Sequence, residues 1–177
     1  MNSIELANLL GFLSLVSYII TLLPTTIKIV FPGKKKLINF LIIYRRQIGV
    51  VTFLLALGHA FLIVIQRNIN FFDWKTYWIY IQGIITFIIF TFLAITSNNW
   101  SVKKLKKNWK RLHSLTYLAM FLLSWHVWDK MFGHWSFLTP LALLKLAIII
   151  ILFFIRKNLE FQKNHKTSTK KSSISKH

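Results

Sequence analysis

No cysteine occurs among the 177 residues of this chain. Disulfides, thiolate-ligated iron–sulfur clusters and covalent c-type haem attachment are thereby excluded. Acids are nearly as scarce, with four Asp and Glu against 23 Lys and Arg. No apolar stretch carries a pair of acids, and the only signs of a broken helix are Pro24 and Pro140. Both facts argue against a transporter with an intramembrane carboxylate relay. Charged residues make up 15% of the chain, where a soluble domain carries about 25%. The first charge is Glu5 and no small-residue cleavage site follows the first apolar run, so the N-terminus does not read as a cleavable signal. No internal repeat is evident.

Apolar residues, by contrast, are abundant: 55% of the chain, with 16% aromatic and a mean hydropathy of +0.54. They fall in runs of about 20, long enough to cross a hydrocarbon core. The runs do not alternate apolar with polar residues as barrel strands would. The expected fold class is therefore an all-α membrane protein, a bundle of five transmembrane helices near 6–27, 47–66, 77–96, 110–129 and 136–155. The stretch "LINFLIIY" at 37–44 is too short to span. It reads either as an interfacial helix or as an early start to the second span.

Charge position sets the orientation. Let X be the side reached when the first span ends. X collects the basic residues between Lys28 and Arg46, those between Lys103 and Arg111, and those from Arg156 to Lys176. The opposite side, Y, holds Arg67, Lys75 and Lys130 together with three acids, Glu5, Asp73 and Asp129. The positive-inside rule makes X cytoplasmic, or stromal in a plastid. The N-terminus is then outside and the C-terminus inside. This asymmetry accounts for most of the +19 net charge, so nucleic acid is not expected as a partner. Residues 1–156 read as the membrane domain. Residues 157–177 read as a basic, irregular cytoplasmic tail that touches anionic lipid headgroups. An acidic cytoplasmic partner is the alternative for that tail.

Three histidines carry the chemistry. His59 lies thirteen residues past Arg46, about 20 Å from the X edge. The fourth span also enters from X, at Lys110 or Arg111. His113 is within a turn of that edge, and His126 lies about 20 Å deeper. His59 and His126 should therefore sit at matching depth in the outer half of the bilayer. Two imidazoles so placed can bind one haem iron axially, which favours electron transfer over substrate binding at the metal. The competing reading is interhelical hydrogen bonding. Gly49, Ala56 and Gly58 either leave room for a flat macrocycle or serve helix packing. Trp125 and Trp128 either pack near His126 or belong to an aromatic belt.

For His113 three roles stand open: a ligand of a second haem, a hydrogen-bond donor to a propionate or flavin, or an ordinary interfacial residue. Arg45, Arg46, Lys110 and Arg111 crowd the X ends of the two histidine spans. They serve orientation, or they neutralise propionates and attract an anionic electron donor. Lys145, inside the last span, is expected to snorkel toward Y. His134, His165 and His177 receive no role.

These residues resemble a family. "RRQIGVVTFLLALGH" (45–59) is similar to the "RR-x-x-G … H" helix of the ferric reductase-like transmembrane domain. "TSNNW…NWKRLHSLTYLAMFLLSWHVW" (96–128) is similar to its "TS … W-x-x-L-H … Y-L … H-x-x-W" segment. The resemblance covers about residues 40–156 and is strongest to the haem-binding membrane subunit of bacterial methionine-sulfoxide reductase systems. It implies haem b, one group with a second left open, and gives His59, His113 and His126 as the haem-associated histidines. It also implies electrons passing from an inner flavin-dependent donor, which supplies FMN or FAD, to an external accepting protein or metal chelate.

Three departures mark the comparison. The chain has no flavin or nicotinamide domain, it shows one N-terminal helix fewer than the methionine-sulfoxide subunit, and the fourth ligand histidine of the larger oxidases is absent. The expected function is an electron conduit, a redox subunit without its own nicotinamide chemistry. Direct reduction of ferric or cupric chelates and a non-redox scaffold are the rivals. Frequent Lys, Ile, Asn and Phe suggest an AT-rich genome, and a bacterial inner membrane, a cyanobacterial membrane or a plastid membrane as the location.

Overall fold

The computed structural model describes residues 3–31, 33–66, 74–131 and 137–174. All regular structure among them is helical: α1 (Ser3–Val30), α2 (Lys35–Gln66), α3 (Trp74–Ile95), α4 (Asn99–Leu105), α5 (Lys107–Met131) and α6 (Leu138–Ile174).

α1 and α2 form a long antiparallel hairpin. Its register is fixed by three cross-links that descend one helix as they climb the other. His59 Nδ1 lies 2.8 Å from the carbonyl oxygen of Ala7. The Ser14 hydroxyl donates to the carbonyl of Thr52 at 3.0 Å. Arg45 Nη1 donates to Thr25 Oγ1 at 3.4 Å. α2 runs without interruption for 32 residues, about 48 Å, well beyond a hydrocarbon core of about 30 Å. The stretch 37–44 is thus the early start of the second helix, because no proline interrupts the run from Lys35 onward.

A polar corner separates α3 from α4, and the sequence "TSNN" builds it. Thr96 Oγ1 and Ser97 Oγ donate back to the carbonyls of Phe92 and Leu93, both at 2.6 Å. The Ser97 hydroxyl thereby satisfies the Leu93 carbonyl, whose i+4 amide turns to Ala94 instead, while the Phe92 carbonyl also accepts the Thr96 amide. Asn98 then serves both helices. Its Nδ2 donates to the carbonyl of Ile95 at 2.8 Å, and its Oδ1 caps α4 by accepting from the Ser101 amide at 2.7 Å. The axis turns by 98° across this corner. α4 ends at Lys106, which takes φ 46°.

The long helices close into a ring in the order α1, α2, α3, α5, α6 and back to α1. Non-adjacent helices do not approach each other through their backbones, so α2 and α5 stand apart across the interior. The middle of the ring is filled by Leu15, Tyr18 and Leu22 from α1, Ile89 and Phe90 from α3, Ala119 and Met120 from α5, and Leu146 and Ile149 from α6. The Tyr18 hydroxyl ties α1 to α5 by donating to the carbonyl of Thr116, and its ring lies 5.2 Å from that of Phe90.

Large apolar side chains such as Leu54, Phe61, Ile88, Phe92, Leu144 and Phe154 point outward and are exposed. A soluble protein would not leave so much contiguous apolar surface wet. Among the described residues, Ser3–Val30, Lys35–Gln66 and Leu138–Lys163 are each long and apolar enough to cross a membrane, with a fourth span if Tyr80–Ile95 and Asn99–Leu105 count as one bent pair. The third and fourth expected spans coincide with α3 and α5. The hydropathy of α5 is diluted by its histidines, tryptophans and terminal charges.

Residues 157–174 continue α6 as helix, where the sequence leads one to expect an irregular tail. Glu160 is the local reason. It accepts from Arg156 Nε at 3.0 Å and forms an ion pair with Lys157 Nζ at 3.5 Å, both spaced to support a helix.

Candidate functional site

The two deeper histidines are each set against a glycine on a neighbouring helix. His59 on α2 lies over Gly11 of α1, where a Cβ would stand 2.9 Å from its Nδ1. His126 on α5 lies over Gly83 of α3, where a Cβ would stand 3.0 Å from its Cε1. A Cβ at Gly11 would force the His59 ring to shift, and one at Gly83 would press on the His126 ring.

Their levels can be compared through the Phe53–Phe87 stack, whose centroids are 5.7 Å apart. His59 is six residues beyond Phe53, about 9 Å. Gly83 is four residues from Phe87 in the same direction, about 6 Å. His59 and His126 therefore lie within about 3 Å of a common level, on two helices whose backbones do not approach each other.

Donor chemistry fits a metal-bound pair. With Nδ1 of His59 held on the Ala7 carbonyl, the ring carries its proton there and leaves the Nε2 lone pair for a metal. Among the described residues no group of three or more His, Asp or Glu could hold a bare metal ion. Two imidazoles suit a metal that brings its own equatorial ligands, and haem iron is one.

His113 occupies a different place. Its ring stacks on Trp109 at 4.0 Å between centroids. Trp109 Nε1 donates to the carbonyl of Thr96 at 3.0 Å. Because the Thr96 hydroxyl gives its hydrogen to Phe92, its oxygen accepts from His113 Nε2 at 3.3 Å. The residues of the "TS … W-x-x-L-H" pattern thus meet one another at the corner after α3.

His113 also borders a cavity of about 440 Å³ between α2 and α5, on the X half of the bundle. Arg45, Arg46, Gly49, Thr52 and Tyr117 line it as well. Arg46 Nη1 donates to Asn99 Oδ1 and ties α2 to α4. The structure therefore groups His113 with Arg45 and Arg46, and sets His59 and His126 apart toward the other end. The cavity is basic, partly aromatic and rich in hydroxyls, which suits an anionic group carried on a flat ring.

Behind Tyr117 stands Arg156 of α6, 5% exposed. Its Nη1 donates to the Tyr117 hydroxyl at 2.7 Å, and its guanidinium lies 5.0 Å from the Tyr117 ring centre.

Several sequence expectations sort themselves here. Gly58 faces Leu10, with Cδ1 3.2 Å from a Cβ position, so it serves helix packing. Gly49 has nothing within 4 Å of a Cβ and does border the cavity. Trp125 and Trp128 are exposed on the outside of the bundle. Lys145 is half-buried and His165 exposed, while His134 and His177 lie outside the described residues. Sequence reasoning missed Gly11, Gly83 and Ala7. The available signal was a glycine at the depth of each histidine in an adjacent span.

The ferric reductase like transmembrane component family matches residues 10–124. Curated relatives are heme-binding subunits of protein-methionine-sulfoxide reductases. The one from Brucella anthropi is 38% identical over 82 residues, 44% of this chain and 37% of its own length. That from Brucella melitensis biotype 2 is 34% identical over 132 residues, 68% of this chain and 57% of its own length. That from Brucella ovis is 34% identical over 133 residues. The chain thus spans little more than half the length of the latter two relatives, and less of the first. No solved structure matches it.

Proposed function

The chain belongs to the ferric reductase-like transmembrane family, and from that membership we propose that it is the haem-binding membrane subunit of an electron-transfer system. The observation that carries the proposal is the level pair of imidazoles, His59 and His126, seated on glycines of neighbouring helices. Its relatives, heme-binding subunits of protein-methionine-sulfoxide reductases, point the same way.

In this reading α1, α2, α3, α5 and α6 all cross a bacterial inner membrane, with the N-terminus outside and residues 157–177 on the cytoplasmic side. Residues 1–156 form the haem-binding unit. His59 and His126, each through Nε2, would hold one b haem. Bound there, the group would supply one-electron transfer.

The rest of the work is done by the chain's own side chains. The Ala7 carbonyl orients His59 and keeps its proton on Nδ1. Tyr18, Phe90 and Met120 exclude water from the middle of the bundle. Arg45 and Arg46 give the X mouth a positive field that attracts an anionic, flavin-dependent donor. His113, between Trp109 and Thr96, stands at that entry. The acceptor, a protein or a metal chelate, lies on the Y side.

A dithionite-reduced minus oxidised absorption spectrum of the purified chain tests this reading, with extracted haem counted per chain. A sharp low-spin b-type α band, lost in both His59→Ala and His126→Ala, is expected. A colourless folded protein from haem-supplied cells would sink the proposal.

A further inference from the structure

Gln82 lies on α3, one position before the glycine that seats His126. It is 4% exposed, and its side-chain Oε1 has no hydrogen-bond partner among the described residues. Its backbone carbonyl is already used, accepting from Thr86 Oγ1 at 2.7 Å. Gln82, Thr86, Ile89 and Phe90 are all buried. Their spacing makes them one face of α3, the face turned to the bundle interior. The Gln82 amide is thus carried inward at the level of the two histidines.

A buried amide oxygen with no donor is unfavourable, more so where no water can reach it. Such groups mark places where a partner is expected. The neighbouring residue, Gly83, seats the imidazole of His126, whose Nδ1 lies 3.2 Å from the Gly83 Cβ position. On α2 the corresponding bond is already made, from His59 Nδ1 to the Ala7 carbonyl.

We propose that Gln82 is a positioning residue whose Oε1 accepts the Nδ1 hydrogen of His126, so that His126 presents Nε2 to the metal. The inference rests on the haem reading above and extends it to the shell behind the ligand. Its consequence is asymmetric. One ligand is oriented by a backbone carbonyl that no substitution can remove. The other is oriented by a side chain, and is therefore the one that sequence can tune. An acceptor on Nδ1 makes the imidazole a stronger donor to iron and favours the ferric state.

The test uses the full-length, haem-loaded protein with Gln82→Leu and Gln82→Glu. Three readouts are followed: midpoint potential, ferric low-spin EPR g-values, and the rate of haem loss to a scavenging apoprotein. Gln82→Leu is expected to raise the potential by about tenfold in the reduction equilibrium, about 59 mV for one electron. It should also weaken haem retention about 10- to 100-fold. Gln82→Glu keeps an acceptor oxygen of greater basicity and is expected to lower the potential. If the Leu variant does not accumulate, the Glu variant decides by sign, and an unchanged or raised potential overturns the proposal. Loaded wild type with both variants indistinguishable from it overturns the role of Gln82 alone. A wild type without haem removes the functional reading and this inference with it.

Discussion

The imidazole of His126 fills the space that a side chain on Gly83 would need, with its Cε1 3.0 Å and its Nδ1 3.2 Å from the Cβ position. Gly11 stands in the same relation to His59. Each histidine is thus held by a helix other than its own, and the two seats lie on different helices. Substituting either glycine should act on the histidine rather than on the glycine's own helix.

Gly11→Ala and Gly83→Ala are expected to lower stability despite a gain in helix propensity. Alanine in place of glycine favours a helix by about 1 kcal/mol, while forcing a packed ring aside costs about 1–3 kcal/mol. Gly49→Ala meets nothing within 4 Å and should gain the propensity term alone. Thermal unfolding in detergent of the three variants gives the signs. A stabilised Gly11→Ala would mean that the His59 seat is loose.

Substituting the histidines separates their roles. His59→Ala and His126→Ala should each abolish bound haem, measured as pyridine haemochrome per chain. His113→Ala should keep it, because His113 Nε2 is engaged with Thr96. Equal loss in all three variants would place His113 among the ligands.

The Arg156 contacts predict a graded series. Tyr117→Phe removes the acceptor from a guanidinium that is 5% exposed and should cost about 1–3 kcal/mol. Glu160→Gln weakens a pair whose acid side chain is 34% exposed and should cost about 1 kcal/mol or less. Chemical unfolding in mixed micelles orders the two. A larger loss from Glu160→Gln would show that the ion pair, not the tyrosine, holds Arg156 in place.

The missing cysteines make the orientation measurable without background labelling. Ser3→Cys should react with a membrane-impermeant maleimide in intact spheroplasts. Lys36→Cys and Lys107→Cys should react only after permeabilisation. The reverse pattern would invert the positive-inside assignment.

The level pairing of His59 and His126 was legible in the sequence, because helix rise and charge placement fix depth along a span. Which helix each imidazole leans on was not, because depth says nothing about rotation around the axis. Gly11 and Gly83 therefore went unread, although both were visible as glycines. The reach of α2 back to Lys35 was open, since eight apolar residues next to a span suit either reading. The continuation of α6 past residue 157 was missed because two local pairs to Glu160 count for little in composition. Gln82 was invisible for a simpler reason: one polar residue in an apolar run looks like any other until its oxygen is found buried.

Because α1 packs against α6, the first and last long helices of the described chain are the ones that close the ring. During synthesis the chain emerges N-terminus first, so the bundle has an open side until α6 is released. The seats for His59 and His126 are complete earlier, once α1, α2, α3 and α5 are in place. Arrival of α6, with Arg156 reaching Tyr117, closes that side of the ring.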